Sequence, residues 1–136
     1  MQSPNNPARG TRGMVTSPNA LASQSGLAVL REGGSAVEAM IAAAATIAVV
    51  YPHMNSLGGD GFWLISRPGH DPAGLEACGA AAAGASLESY RAQGLDRIPF
   101  RGGLAANTVA GTVSGWHAAH EWARANLGSV LPVSRL

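Results

Sequence analysis

The sequence contains no lysine, so all nine of its basic residues are arginine. They are scattered along the chain and offset by eight acidic residues, for a net charge of +1. That balance gives no electrostatic basis for binding nucleic acid or an anionic membrane, and the absence of lysine reads as compositional bias. Charge of either sign is scarce, at 12% of residues against about 25% in an ordinary soluble domain. A surface so thinly charged suits a polypeptide much of which is covered by further protein. Cysteine occurs once, at Cys78, which excludes an internal disulfide and fits a reducing compartment. Long hydrophobic runs are missing too. The longest, Ala39 to Val50, falls short of the roughly 20 residues of a membrane span. The polar opening from Met1 to Met14 carries Arg9 and Arg12 and leads into no apolar signal segment, so a cytoplasmic location is expected.

What is abundant is alanine and glycine, the latter 18 times. Residues 1–13, with Pro4, Pro7 and Gly10, read as a disordered polar tail, leaving 14–136 as the folded part. Met14–Ser17 has the composition of a short strand, and Pro18 opens a helix that runs to Arg31 and stops at Gly33-Gly34. Ser35-Ala36-Val37-Glu38 is a capping box, which predicts a helix over Ala36–Val50. Both faces of that helix are apolar, so it belongs in an interior. Pro52 ends it, and a glycine-bearing loop follows. Phe62–Ile65 and Leu75–Cys78 read as a hairpin around the turn Pro68–Pro72. Ser86 caps a short helix to about Gln93, Gly102–Val109 reads as extended, and Thr112 to about Asn126 reads as a helix with Gly128 beyond its end. Helices, a hairpin and more helices make an α+β fold of mixed layers.

Candidate chemistry is sparse. Leu57-Gly58-Gly59-Asp60-Gly61-Phe62 places its glycines before a strand rather than before a helix, the wrong order for a phosphate cradle. Close packing of the loop against a sheet is the preferred reading. His117, His120 and Glu121 do not have the His-Glu-x-x-His order of zinc proteases, and an exposed polar helix face accounts for them. His53 and His70 read as structural and solvated, and Cys78 as a small buried residue at a strand end. No nucleophile elbow, metal set or cofactor motif is present.

Two segments together resemble the γ-glutamyltransferase family. The first includes Gly33-Gly34-Ser35-Ala36-Val37-Glu38-Ala39 and Pro52-His53-Met54-Asn55-Ser56-Leu57-Gly58-Gly59-Asp60-Gly61-Phe62. The second runs from Gly102-Gly103-Leu104 to Val109-Ala110-Gly111-Thr112-Val113-Ser114-Gly115, with Ala110 where the family has proline. The resemblance implies the N-terminal portion of an αββα N-terminal-nucleophile hydrolase sandwich, truncated here at its C-terminus and requiring no cofactor. It implies a precursor that cuts itself to expose a threonine, whose hydroxyl attacks an amide with its own amine as base. The implied partners are the remainder of the large subunit, the small subunit carrying that threonine, and a γ-glutamyl or other acyl-amide substrate. No catalytic residue of the family maps onto this chain, which by itself is expected to be inactive. The family's carboxylate-binding arginine falls on Cys78 or Ala80, depending on alignment. Neither side chain can replace a bidentate clamp worth a few kcal/mol, which implies either a divergent substrate, as in the family's acylase-like and amidase-like branches, or a carboxylate clamp supplied from elsewhere, and disfavours glutathione. Two alternatives stand beside this reading: a catalytically inactive truncated product, and a small non-enzymatic binding module built on the glycine loop.

Overall fold

The computed structural model describes residues 7–136. The first six residues of the expected tail lie outside that range. The chain divides into two compact units. One combines the chain up to Asn55 with His120–Leu136, and the other is Ser56–Ala119.

In the first unit, α1 (Ala20–Arg31) begins at Asn19, whose side-chain oxygen accepts the Leu21 N–H at 2.9 Å. It ends in a Schellman motif. Gly33 sits at φ 89°, its N–H donates to the Leu30 carbonyl, and the Gly34 N–H donates to the Val29 carbonyl. A side chain at Gly33 would have free space but an unfavourable backbone. Gly33→Ala is therefore expected to destabilise by about 1–2 kcal/mol, read as a lowered midpoint in urea.

α2 (Ala36–Val50) starts on the anticipated capping box. The Ser35 hydroxyl accepts the Glu38 N–H at 3.2 Å and the Glu38 carboxylate accepts the Ser35 N–H at 2.6 Å. Val29, Ala39 and Ala42 form the centre of the core, with Val15, Leu30, Leu131 and Leu136 packed around them. The small side chains let α1 and α2 come close; a Cβ at Gly26 would lie 2.7 Å from the Ala39 carbonyl oxygen. The interior character expected of α2 holds for its first half only: Val37–Ala39 and Ile41–Ala43 are buried, while Val49 is 77% exposed.

Met14–Ser17 is not a strand. Composition supplied the strand tendency, but among the described residues no ladder partner meets this segment; Val15 contributes through core packing instead.

In the second unit, β1 (Gly61–Ile65) and β2 (Ala73–Ala77) form an antiparallel hairpin pairing Gly61 with Ala77 and Trp63 with Leu75. The return strand thus lies one to two residues earlier than composition indicated, and Cys78 falls just past the ladder. Trp63, Leu75 and Ile65 are covered on one face, whereas Phe62 and Leu64 on the other are 73% and 82% exposed. α3 (Leu87–Ala92) is capped reciprocally by Ser86 and Ser89. The stretch expected to be extended begins instead with a turn, in which the Ala105 N–H donates to the Gly102 carbonyl, and only Asn107–Val109 pairs with Ala80–Ala82. α4 (Thr112–Leu127) carries the chain from the second unit back into the first. A 3₁₀ turn, Val133–Arg135, follows, where Arg135 pairs with Glu32. No helix is long and apolar enough to cross a membrane among the described residues.

Candidate functional site

The glycine loop acts through its backbone. The Gly59 carbonyl accepts the Gly111 N–H at 3.0 Å, the Thr112 N–H at 3.0 Å and the Thr112 hydroxyl at 2.6 Å, so one oxygen clasps the start of α4. The close packing expected of the loop glycines is not what holds it. A Cβ at Gly59 would meet nothing within 4 Å, and one at Gly58 only the Ser56 hydroxyl at 3.9 Å. The tight approach lies one segment away. A Cβ at Gly79 would overlap the Val109 carbonyl, and one at Gly111 the Ala77 carbonyl. Backbone therefore crosses backbone there with no room for a side chain.

Asp60, the one non-glycine residue between Gly58 and Gly61, reaches the same crossing. Its carboxylate accepts the Gly79 N–H at 3.2 Å. This places Asp60 beside Cys78 and Ala80, the two positions where the resemblance locates the carboxylate-binding arginine. Ala80 is exposed and its carbonyl accepts the Val109 N–H at 2.9 Å. Cys78 is a free thiol and exposed, not buried as its strand-end position suggested, because the ladder closes at Ala77 and leaves it on the outside. Desolvation of the sulfur, a hydrogen bond with Glu76 and the negative charges of Asp60 and Glu76 push the thiol above its ordinary value. These neighbours disfavour the thiolate, the nucleophilic form of cysteine, and give the position acidic rather than cationic surroundings.

The histidines divide differently from expectation. His117 is exposed, His53 is exposed with its ring 4.2 Å from that of Tyr51, and His70 lies in a solvated turn near Arg67. His120, expected on an exposed polar face, is 3% exposed. Its Nε2 donates to the Leu131 carbonyl at 2.8 Å, and the nearest carboxylate to its Nδ1 is that of Glu121 at 3.9 Å. The buried stripe that turns it inward is Ala119, His120 and Ala123. Leu131 is held at both ends of its backbone, since its N–H donates to the Glu38 carboxylate at 2.8 Å. Glu38 is fully buried. Burial acts to raise its carboxyl, but the Ser35 N–H and hydroxyl, the Leu131 N–H and the Ser129 hydroxyl outweigh that and hold it below its ordinary value. Sequence spacing revealed the cap; nothing local to Glu38 announced its second partner. Among the described residues no group of three or more histidine, cysteine or acidic side chains could hold a metal.

This arrangement has counterparts. The family model described as Gamma-glutamyltranspeptidase matches residues 22–134. The chain is 62% identical over 126 residues to the oxamate amidohydrolase proenzyme of Klebsiella pneumoniae, covering 93% of this chain and 24% of that protein. It is 42% identical over 127 residues to a glutathione hydrolase-like proenzyme, YwrD, of Bacillus subtilis, with the same coverage of each. Among solved structures, the γ-glutamyltranspeptidase of Helicobacter pylori superposes with a TM-score of 0.76 at 31% identity, over 86% of this chain and 34% of that one. The chain spans about a quarter of the length of the curated relatives it matches and corresponds to their N-terminal part. Its helices and small sheet are a portion of the N-terminal-nucleophile hydrolase fold. The chain belongs to the γ-glutamyltranspeptidase family.

Proposed function

We propose that this chain forms the start of the large subunit of a self-processed amide hydrolase or acyltransferase that acts on a small amide in preference to glutathione. The attacking threonine hydroxyl comes from polypeptide outside these 136 residues. It adds to the amide carbonyl, expels the amine and leaves an acyl ester, which water or an amine then releases. The observation that carries this reading is the 62% identity, over 93% of the chain, to a proenzyme named for oxamate hydrolysis. The surroundings of Cys78 agree with it. A γ-glutamyl group carries its α-carboxylate at the end of a three-carbon stem, whereas oxamate bonds its carboxylate directly to the reacting carbonyl. A site for the second has no use for a distant guanidinium, and here the resemblance puts the corresponding position at Cys78 or Ala80, neither of which carries one.

The test is a chimera in which this chain replaces its counterpart in the Klebsiella pneumoniae proenzyme. The chimera is expected to cleave itself into two subunits and to release ammonia from oxamate while leaving glutathione intact. A self-processed chimera that hydrolyses glutathione and not oxamate contradicts the proposal. The 136-residue chain alone is expected to release neither ammonia from oxamate nor p-nitroaniline from γ-glutamyl-p-nitroanilide. Turnover above that of a Cys78→Ala control would place a nucleophile where none is proposed.

A further inference from the structure

Arginines that are scattered in sequence meet at one place in the first unit. Arg9, Arg12 and Arg31 line a cavity of about 390 Å³, together with Gly10, Thr11 and Gly13 and, on its apolar side, Leu27 and Leu30. The volume lies within the range of small-molecule sites, roughly 300–1,000 Å³. The side-chain carboxylates of this unit are Glu32, Glu38 and Glu121, and each has a partner elsewhere. Glu32 is taken by Arg135, Glu38 is buried against the N–H groups of Ser35 and Leu131, and Glu121 lies 3.6 Å from Arg124. Residues 1–6 contribute no acid. Among the described residues, none of the three guanidinium groups at the cavity is paired with an acidic side chain of its own unit. Arg31 stands in the last turn of α1, where the helix dipole stabilises its charge without occupying its side-chain donors. Gly10 and Gly13 keep the neighbouring backbone slim.

We infer that this cavity is an oxyanion site, suited to a phosphate group, either free or on a small metabolite. Forked guanidinium donors match phosphate oxygens in geometry as well as charge, and the three positive charges more than offset the two negative charges of a phosphate dianion. The site lies in the unit that does not contain Cys78, and the inference does not depend on the proposed reaction.

Calorimetric titration of the full chain with inorganic phosphate, at ionic strength held constant with chloride, tests it. Saturable binding is expected, accompanied by shifts of the Gly10, Thr11 and Gly13 amide resonances. Arg12→Gln with Arg31→Gln should weaken it by about tenfold or more, and Arg9→Gln alone should weaken it measurably. A control pair in the second unit, Arg97→Gln with Arg101→Gln, should leave it unchanged. These exposed arginines can be replaced without touching the core, and circular dichroism of each variant verifies its helices. The inference is overturned by absence of saturable binding, by equal weakening in the control pair, or by the same response to chloride. Competition by a phosphate monoester against inorganic phosphate separates a metabolite site from a site for the free ion, and either outcome supports the oxyanion assignment.

Discussion

Glu38→Ala is expected to lower the unfolding free energy by about 3–5 kcal/mol, a large part of the 5–15 kcal/mol that a domain typically has. The substitution removes a fully buried carboxylate and with it the acceptor for two backbone N–H groups, those of Ser35 and Leu131. Each stranded donor costs about 1–3 kcal/mol, and the vacated volume adds a cavity term. Glu38→Gln keeps the volume and one acceptor oxygen but turns an amide N–H₂ toward one of the two donors, so a loss of about 1–3 kcal/mol is expected. Thermal unfolding followed by circular dichroism orders the three proteins. The wild-type stability should also depend on acid. The folded carboxyl is held below its ordinary value of 4.5, so the unfolded chain takes up the proton first as pH falls. The contribution of Glu38 is complete above that ordinary value and is lost progressively as pH drops toward and through the folded one. Glu38→Gln should flatten this part of the profile. An unchanged acid limb in that variant would show that another carboxylate is responsible.

The second large effect is expected at the backbone crossing of the other unit. Gly79→Ala and Gly111→Ala each place a methyl group on a carbonyl of the facing segment, Val109 and Ala77 respectively. Main chain cannot step aside as a flexible side chain does, so each should cost about 3 kcal/mol or more. Gly115→Ala belongs to the same set with a softer clash, its Cβ lying 2.5 Å from that of Ala77. Gly59→Ala is the contrast. A Cβ there meets open space, and the loss should stay under about 1 kcal/mol. Urea midpoints rank the four. A damaging Gly59→Ala beside a tolerated Gly111→Ala would reverse the account of which glycines the unit needs.

Much of the architecture was legible before any coordinates, and the reasons are local. The Ser35–Glu38 pair marks the start of α2 because both halves of the cap lie within four residues, and Gly33-Gly34 marks the end of α1 because one of them must adopt a positive φ. The hairpin was signalled by strand-forming residues on either side of a proline–glycine turn. The misses share a different cause. Whether Met14–Ser17 becomes a strand depends on a neighbour, which composition does not disclose. His120 was assigned to solvent because the stripe that buries it consists of alanines, Ala119 and Ala123, which give almost no hydropathic contrast. Cys78 moved from buried to exposed through a one-residue shift in where the ladder closes. The family was readable from the order of its glycine segments. The acidic setting of Cys78 was not, because Asp60 precedes it by eighteen positions and the two are brought together only by the hairpin.

The double grip on Leu131 has a dynamic consequence. The cap that starts α2 is also the anchor of a segment more than ninety positions away: the Ser129 hydroxyl donates to that of Ser35, and Leu131 hangs on Glu38. A fluctuation that frays the first helical turn must release the distant segment as well, and the reverse holds equally. In amide hydrogen exchange the two stretches should therefore behave as one foldon, opening with a single free energy although the chain between them includes an entire second unit.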